Sequence, residues 1–192
     1  HWMKRKAAER NCAIAGSVAV CENGNYYNRF YFVHPDGTVQ HYDKKHLFTF
    51  GGEHKRFTAG TERVVVNFRG VRILLEVCYD LRFPVWARNL GDYDMILYVA
   101  SWPTPRVDAW SALLRARAIE NQCYVAGVNR MGVDPACEYS GGSAIIDPYG
   151  KTIAECPWGR ESAVSADIDM EALQTFRKKF PVLDDADPFT LI

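Results

Sequence analysis

The sequence predicts an α/β fold, a layered sandwich of β-strands with helices on its outer faces. Three observations predict it. Val71, Ile73, Leu74, Leu75 and Val77 form a near-continuous apolar run, the pattern of a strand covered on both faces. Asn23-Gly24, Pro35-Asp-Gly37 and Arg69-Gly70 are turn signals between strand-like runs, so neighbouring strands pair as hairpins. Trp110, Leu113, Leu114, Ala118 and Ile119 recur with helical spacing.

Taken in order, residues 3–11 read as the last turns of an amphipathic helix, and residues 12–20 as a small-residue apolar strand. Residues 26–34, rich in Tyr, Phe and Val, form the next strand, and residues 38–44 return from it. A loop over residues 49–60 carries glycines at both ends. Residues 63–68 and 71–78 make a second hairpin. Residues 83–91 are expected as a helix, with Pro84 in its tolerant first turn. Residues 94–101 are a second buried strand, and Asp108 is placed to cap a helix running to Gln122. Residues 124–129 are a strand and 130–141 a polar loop. Residues 142–148 and 152–156 flank a turn, residues 162–168 are read as a further strand, and residues 170–179 as a helix that stops before Pro181. Residues 1–192 are read as one domain, with the tail 181–192 expected to pack on a partner subunit.

Composition narrows the function. Lys+Arg and Asp+Glu both number 23, so no charge excess points to nucleic acid. No apolar run approaches a membrane span, and no apolar leader follows the charged first residues, so a membrane is not expected and the cytoplasm is. The six cysteines form no C-x-x-C pair and no His/Cys cluster has zinc spacing, so no metal is expected and the thiols read as reduced.

Three polar features lie at strand ends or in loops. Cys78 closes the Val71–Val77 run just before a turn into a predicted helix, whose N-terminus lowers a thiol pKa. A lone cysteine after an apolar run is more often a buried small hydrophobe. Lys44, leaving a strand end, has the placement of an oxyanion stabiliser, although a lysine taken alone is more often solvated. Glu53, in the glycine-flanked loop, has the chemistry to act as a base or to orient one.

Together these features resemble the nitrilase superfamily of carbon–nitrogen hydrolases. The family's lysine motif resembles Tyr42-x-Lys44-x-His46-Leu47, its loop glutamate resembles Gly52-Glu53, and its nucleophile motif resembles Cys78-Tyr79-Asp80-x-Arg82-Phe83-Pro84. Further matches are Ser101-Trp102-Pro103, Arg115-x-Arg117-Ala118-x-Glu120-Asn121, Val128-Asn129-Arg130 and Asp147-Pro148-x-Gly150. Trp102-Pro103 and Asn129-Arg130 look most like the omega-amidase branch, which hydrolyses the terminal amide of 2-oxo-dicarboxylate monoamides.

The resemblance implies a four-layer αββα sandwich, a homodimer or larger homo-oligomer, and a Glu–Lys–Cys triad with a supporting glutamate. Cys78 is then the nucleophile, Lys44 the oxyanion stabiliser, Glu53 the supporting glutamate, and the Tyr79 N–H part of the oxyanion hole. The substrate is a small linear amide attacked with water as co-substrate, and no cofactor is needed. Trp102, Arg106 and Tyr139 are candidate substrate contacts, Arg106 for a carboxylate. The family's general-base glutamate lies ahead of the lysine in a Pro-Glu context. Nothing before Lys44 matches it, since Glu9 falls in a helix and Glu22 in a turn. The first strand–helix unit is therefore expected to be missing from this sequence. Four alternatives stay open: nitrile hydrolysis, N-carbamoyl hydrolysis, hydrolysis of a modified tripeptide, or an inactive fragment.

Overall fold

A computed structural model describes residues 1–190; the last two residues of the tail lie outside the described residues. The chain opens with α1 (Trp2–Arg10), which ends at Asn11 in a left-handed conformation and lies against the first two strands. Strands β1 (Ile14–Glu22), β2 (Asn25–Val33) and β3 (Val39–Asp43) form an antiparallel sheet in that order, joined by the Asn23-Gly24 and Pro35–Gly37 turns.

The second sheet has six strands. These are β4 (Val65–Phe68), β5 (Val71–Val77), β6 (Met95–Ala100), β7 (Tyr124–Asn129), β10 (Ala144–Ile146) and β11 (Thr152–Glu155), arranged β11-β10-β7-β6-β5-β4. The three central strands β5, β6 and β7 run parallel, and hairpins flank them on both sides. The crossover between β6 and β7 is α3 (Val107–Glu120), as a parallel pair requires.

The strict alternation of a strand divides the core in two. Ile73, Leu75 and Val77 of β5 pack with Phe30, Phe32 and Tyr42 from the smaller sheet, so the two sheets face each other. Leu74 of β5 joins Ile96, Tyr98, Val125 and the Trp110–Leu114–Ala118 stripe of α3 on the other side. Covered on both faces, β5 is the near-continuous apolar run seen in the sequence. A last helix, α4 (Met170–Lys179), is capped by the Asp169 carboxylate, which accepts from the Ala172 N–H. Arg177 ties α4 to the sheet through Asp94, Gln122 and Tyr93. Residues 185–189 run beside Pro84, Val85, Arg88 and Glu120 of the same chain.

Four sequence expectations are corrected. The helix expected over 83–91 is a single turn, α2 (Pro84–Ala87). Beyond it Arg88 is extended, and Asn89 is drawn away to hydrogen-bond Tyr93 and Asn121. Asp108 does not cap α3 but sits in its first turn, with Arg106 at the cap. The loop 130–141 holds a small hairpin, β8 (Met131–Val133) and β9 (Glu138–Ser140), closed by Asp134, whose carboxylate accepts the Ala136 and Cys137 N–H groups. Residues 162–168 form no strand; they are mostly exposed and pair with no ladder.

Candidate active site

The three parallel strands and β3 end on one side, and the segments that leave their C-terminal ends surround one cavity of about 550 Å³. Crevices at the carboxyl ends of parallel strands are where such sheets bind ligands. Cys78 and Tyr79 follow β5, Ser101 and Trp102 follow β6, Arg130 follows β7 and Lys44 follows β3.

Cys78 occupies the left-handed region, with φ +50°. A side chain there is strained, and such residues cluster where structure fixes a reacting group. The turn that follows, Cys78–Arg82, is a short 3₁₀ segment. It is held by Asp80, whose Oδ2 accepts the Val77 N–H at 3.0 Å. The Cys78 thiol lies 3.8 Å from the Ser101 carbonyl, to which it donates. The sequence led us to expect a thiol acidified by a helix N-terminus. The structure reverses that: burial pushes the Cys78 thiol up, and Lys44 acts in the opposite direction without cancelling it. The long helix that was to supply the dipole does not form.

Lys44 is buried, and its Nζ donates to Glu53 Oε2 at 2.6 Å. The same oxygen accepts the Phe48 N–H at 2.6 Å, while Glu53 Oε1 accepts from Asn28 Nδ2 at 3.3 Å. Gly60 makes this loop close: its N–H donates to the Lys44 carbonyl, and a Cβ there would lie 2.0 Å from the Asp43 oxygen. Cys78, Lys44, Glu53, Tyr79, Trp102 and Arg106 all line the cavity. Tyr139 does not line it. It lies in β9, with its hydroxyl on Asp134 and the Arg130 guanidinium over its ring.

The wall bears four cations, Lys44, Arg82, Arg106 and Arg130, and, among the described residues, one carboxylate, Glu53. Arg82 lies over the Trp102 ring at 5.0 Å and Arg106 over the Phe48 ring at 5.3 Å. Such stacking holds a guanidinium in place and leaves its edge donors available. Among the described residues neither has a carboxylate partner. Asn129, which sequence reasoning noted only as part of a motif, fastens the Trp102 wall. Its Oδ1 accepts the Trp102 N–H at 2.7 Å, and its Nδ2 donates to the carbonyls of Trp102 and Gly141. Asn28 was missed, because a single polar residue in a Tyr/Phe-rich strand carries no local signal. Arg82, noted in the sequence only as part of the nucleophile motif, lines the cavity as well.

A family model described as carbon–nitrogen hydrolase matches residues 1–178. The chain belongs to the carbon–nitrogen hydrolase family. It is 53% identical over 192 residues to omega-amidase YafV of Escherichia coli, covering all of this chain and 75% of that one. It is 42% identical over 189 residues to a 2-oxoglutaramate amidase of Bacillus subtilis, covering 96% of this chain and 72% of that one. Among solved structures, a CN-hydrolase superfamily protein of Xanthomonas campestris, crystallised with an arsenic adduct in its active site, superimposes with TM-score 0.96 at 46% identity. That match covers this whole chain and 75% of the other. The mixed α/β architecture is thus the fold of this family, as the motifs led us to expect. No described helix is long and apolar enough to cross a membrane.

Neither glutamate ahead of Lys44 reaches the cavity. Glu9 pairs with Lys6 on α1, and Glu22 pairs with Arg29.

Proposed function

We propose that the chain is an omega-amidase-like enzyme that hydrolyses the terminal carboxamide of a 2-oxo dicarboxylic acid, releasing ammonia through a Cys78 thioester. The observation that carries this reading is the pairing of a strained thiol with a cationic wall in one cavity. Relatives named omega-amidase and 2-oxoglutaramate amidase support the substrate class.

In this reading the Cys78 sulfur attacks the amide carbonyl, and the oxygen takes the electron pair. Lys44 and the Tyr79 N–H hold that oxyanion; one such donor is typically worth about 3 kcal/mol. The carbonyl re-forms as the C–N bond breaks, and ammonia leaves with the proton shed by the thiol. Water then adds to the thioester and releases the acid, returning a proton to sulfur. Glu53 supports the site: it neutralises and orients Lys44, and both its oxygens are occupied. The proton-transfer step is assigned to no residue of the described chain. Arg106 and Arg82, stacked on the Phe48 and Trp102 rings of the same cavity, receive the carboxylate at the far end of the substrate.

The reading also includes a reducing, cytoplasmic setting, supported by six free cysteines, and a homodimer or larger homo-oligomer. Exposed Val85, Phe180 and Phe189, near or within the tail, support a contact with a second copy. A panel of amides, nitriles and N-carbamoyl amino acids tests the chemistry. Ammonia release from the omega-amide of a 2-oxo acid is expected; release from nitriles alone contradicts it.

A further inference from the structure

Glu76 lies two residues before Cys78 in β5 and is fully buried. Neither of its carboxyl oxygens has a hydrogen-bond partner among the described residues. Across the parallel ladder it stands in register with Tyr98 of β6, also fully buried, whose hydroxyl is likewise unpartnered. Buried Arg117 of α3 donates through Nη2 to the Leu81 carbonyl and through Nη1 to Glu120, and its Nε is unpartnered. A polar cluster this deep and this poorly satisfied calls for a reason.

Asp80, four residues on, is the contrast. It is fully buried too, yet its two oxygens accept four hydrogen bonds, from the Tyr42 hydroxyl, the Val77 and His46 N–H groups and His46 Nδ1. Donors stabilise the charged form of a carboxyl, and their lack favours the protonated one. Two neighbouring carboxyls in a core do not both ionise at small cost. The charge therefore resides on Asp80 and the proton on Glu76.

We propose that Glu76 is a positioning residue that keeps its proton while the site is assembled, so that Asp80 remains the one charged carboxylate behind Cys78 and its hold on the Lys44 strand stays closed. The proposal rests on the reading of Cys78 as the reacting thiol. The groups around Glu76 agree with it. Burial and then Asp80 push its carboxyl well above the usual range, while Arg63, ahead of β4, and Arg117 of α3 oppose them. Tyr42 of β3, Tyr93 ahead of β6 and Tyr98 of β6 are themselves pushed up, by burial first and in smaller part by Glu76. When Glu76 loses its proton, a second negative charge appears near Asp80, and among the described residues no donor is hydrogen-bonded to it. The Tyr42–Asp80–His46 contacts then loosen, and the site fails at alkaline pH before the fold does.

The sign follows from linkage. A carboxyl whose folded pKa is raised contributes stability at acid pH that is lost as pH rises. Glu76→Gln keeps the size and has no proton to lose. The variant is expected to gain Tm over the wild type, by a margin that widens as pH rises above the ordinary carboxylate range. Wild-type protein at neutral pH is expected to show the infrared carbonyl stretch of a protonated carboxylic acid, absent from the variant. Its kcat for ammonia release is expected to stay within about threefold of wild type at neutral pH and to fall off at least one pH unit later. An unchanged margin in Tm, or no band lost in the variant, overturns the proposal, as does a crippled neutral-pH kcat. Glu76→Leu, which fills the same space without polar atoms, serves if the Gln variant does not fold, with the same expectations. If no protein releases ammonia, the reading of the reaction fails, while the infrared and melting data still decide the state of Glu76.

Discussion

Tyr42 and Asp80 stand 38 residues apart in sequence and meet through a 2.8 Å hydrogen bond from the phenol to Oδ2. That bond fastens the strand delivering Lys44 to the turn that begins at Cys78. Asp80 also accepts the His46 N–H and Nδ1, and the His46 ring stacks on Phe83 at 3.8 Å, so the clamp grips both sides of the lysine. Asp80→Asn is expected to cost about 1–3 kcal/mol of stability, because an amide cannot accept all four donors. Tyr42→Phe is expected to cost less, roughly 1 kcal/mol. Ammonia release by the folded variants, measured beside their melting curves, should fall further than stability alone explains.

The Lys44–Glu53 pair makes a second prediction. Lys44 is 3% exposed, so removing its partner leaves a buried charge without compensation. Glu53→Gln is expected to destabilise by about 3 kcal/mol. Lys44→Met in the Glu53→Gln background should recover part of that stability without any activity. A stability loss in the double variant equal to the sum of the single losses contradicts the pairing.

The thiol makes a third. Burial raises Cys78 and Lys44 opposes the rise, so alkylation of Cys78 should quicken as pH climbs through and past the ordinary thiol range. Lys44→Met removes the opposing cation, pushes the thiol higher still and should slow alkylation at a given pH. Rates of iodoacetamide labelling across pH check both; faster labelling in the variant runs against the account.

These predictions rest on features of uneven legibility in the sequence. The strands of both sheets could be read, because burial on two faces leaves long apolar runs such as Val71–Val77, and turn residues mark their ends. Lys44, Glu53 and Cys78 were singled out because each follows a strand or sits in a glycine-flanked loop, and only the family resemblance gave them roles; all three line the cavity. The conformation of Cys78 was not legible: its left-handed φ is set by Asp80 and by the packing beyond it, not by a local glycine. Nor was the failure of residues 83–91 to continue as a helix, since Asn89 gains its partners from Asn121, 32 residues away. Tyr139, in the expected polar loop 130–141, was a candidate substrate contact. The β8–β9 hairpin, organised by Asp134, holds it elsewhere.

The cationic wall makes a fourth prediction. Arg106→Leu is expected to raise KM for an amide carrying a carboxylate about 10- to 100-fold, while a neutral amide of similar length is little affected. Equal losses on both substrates exclude a carboxylate contact and leave Arg106 as a packing residue on Phe48.

Packing at Gly60 gives a fifth. An added Cβ meets the Asp43 carbonyl and pushes apart the loop and the residue before Lys44. Gly60→Ala is expected to lower the melting temperature and to disorder the Lys44–Glu53 pair. A variant with normal stability and activity shows that the loop tolerates the shift.

The central claim is that Cys78 carries the acyl group of the substrate. It is tested most directly by acid-quenching the protein during incubation with the omega-amide of a 2-oxo dicarboxylic acid and measuring its intact mass and peptide map. The account predicts an added acyl group on Cys78, equal in mass to the substrate less ammonia, and no such adduct in Cys78→Ala. Ammonia release that persists in Cys78→Ala, or an acyl group found on another residue, contradicts it.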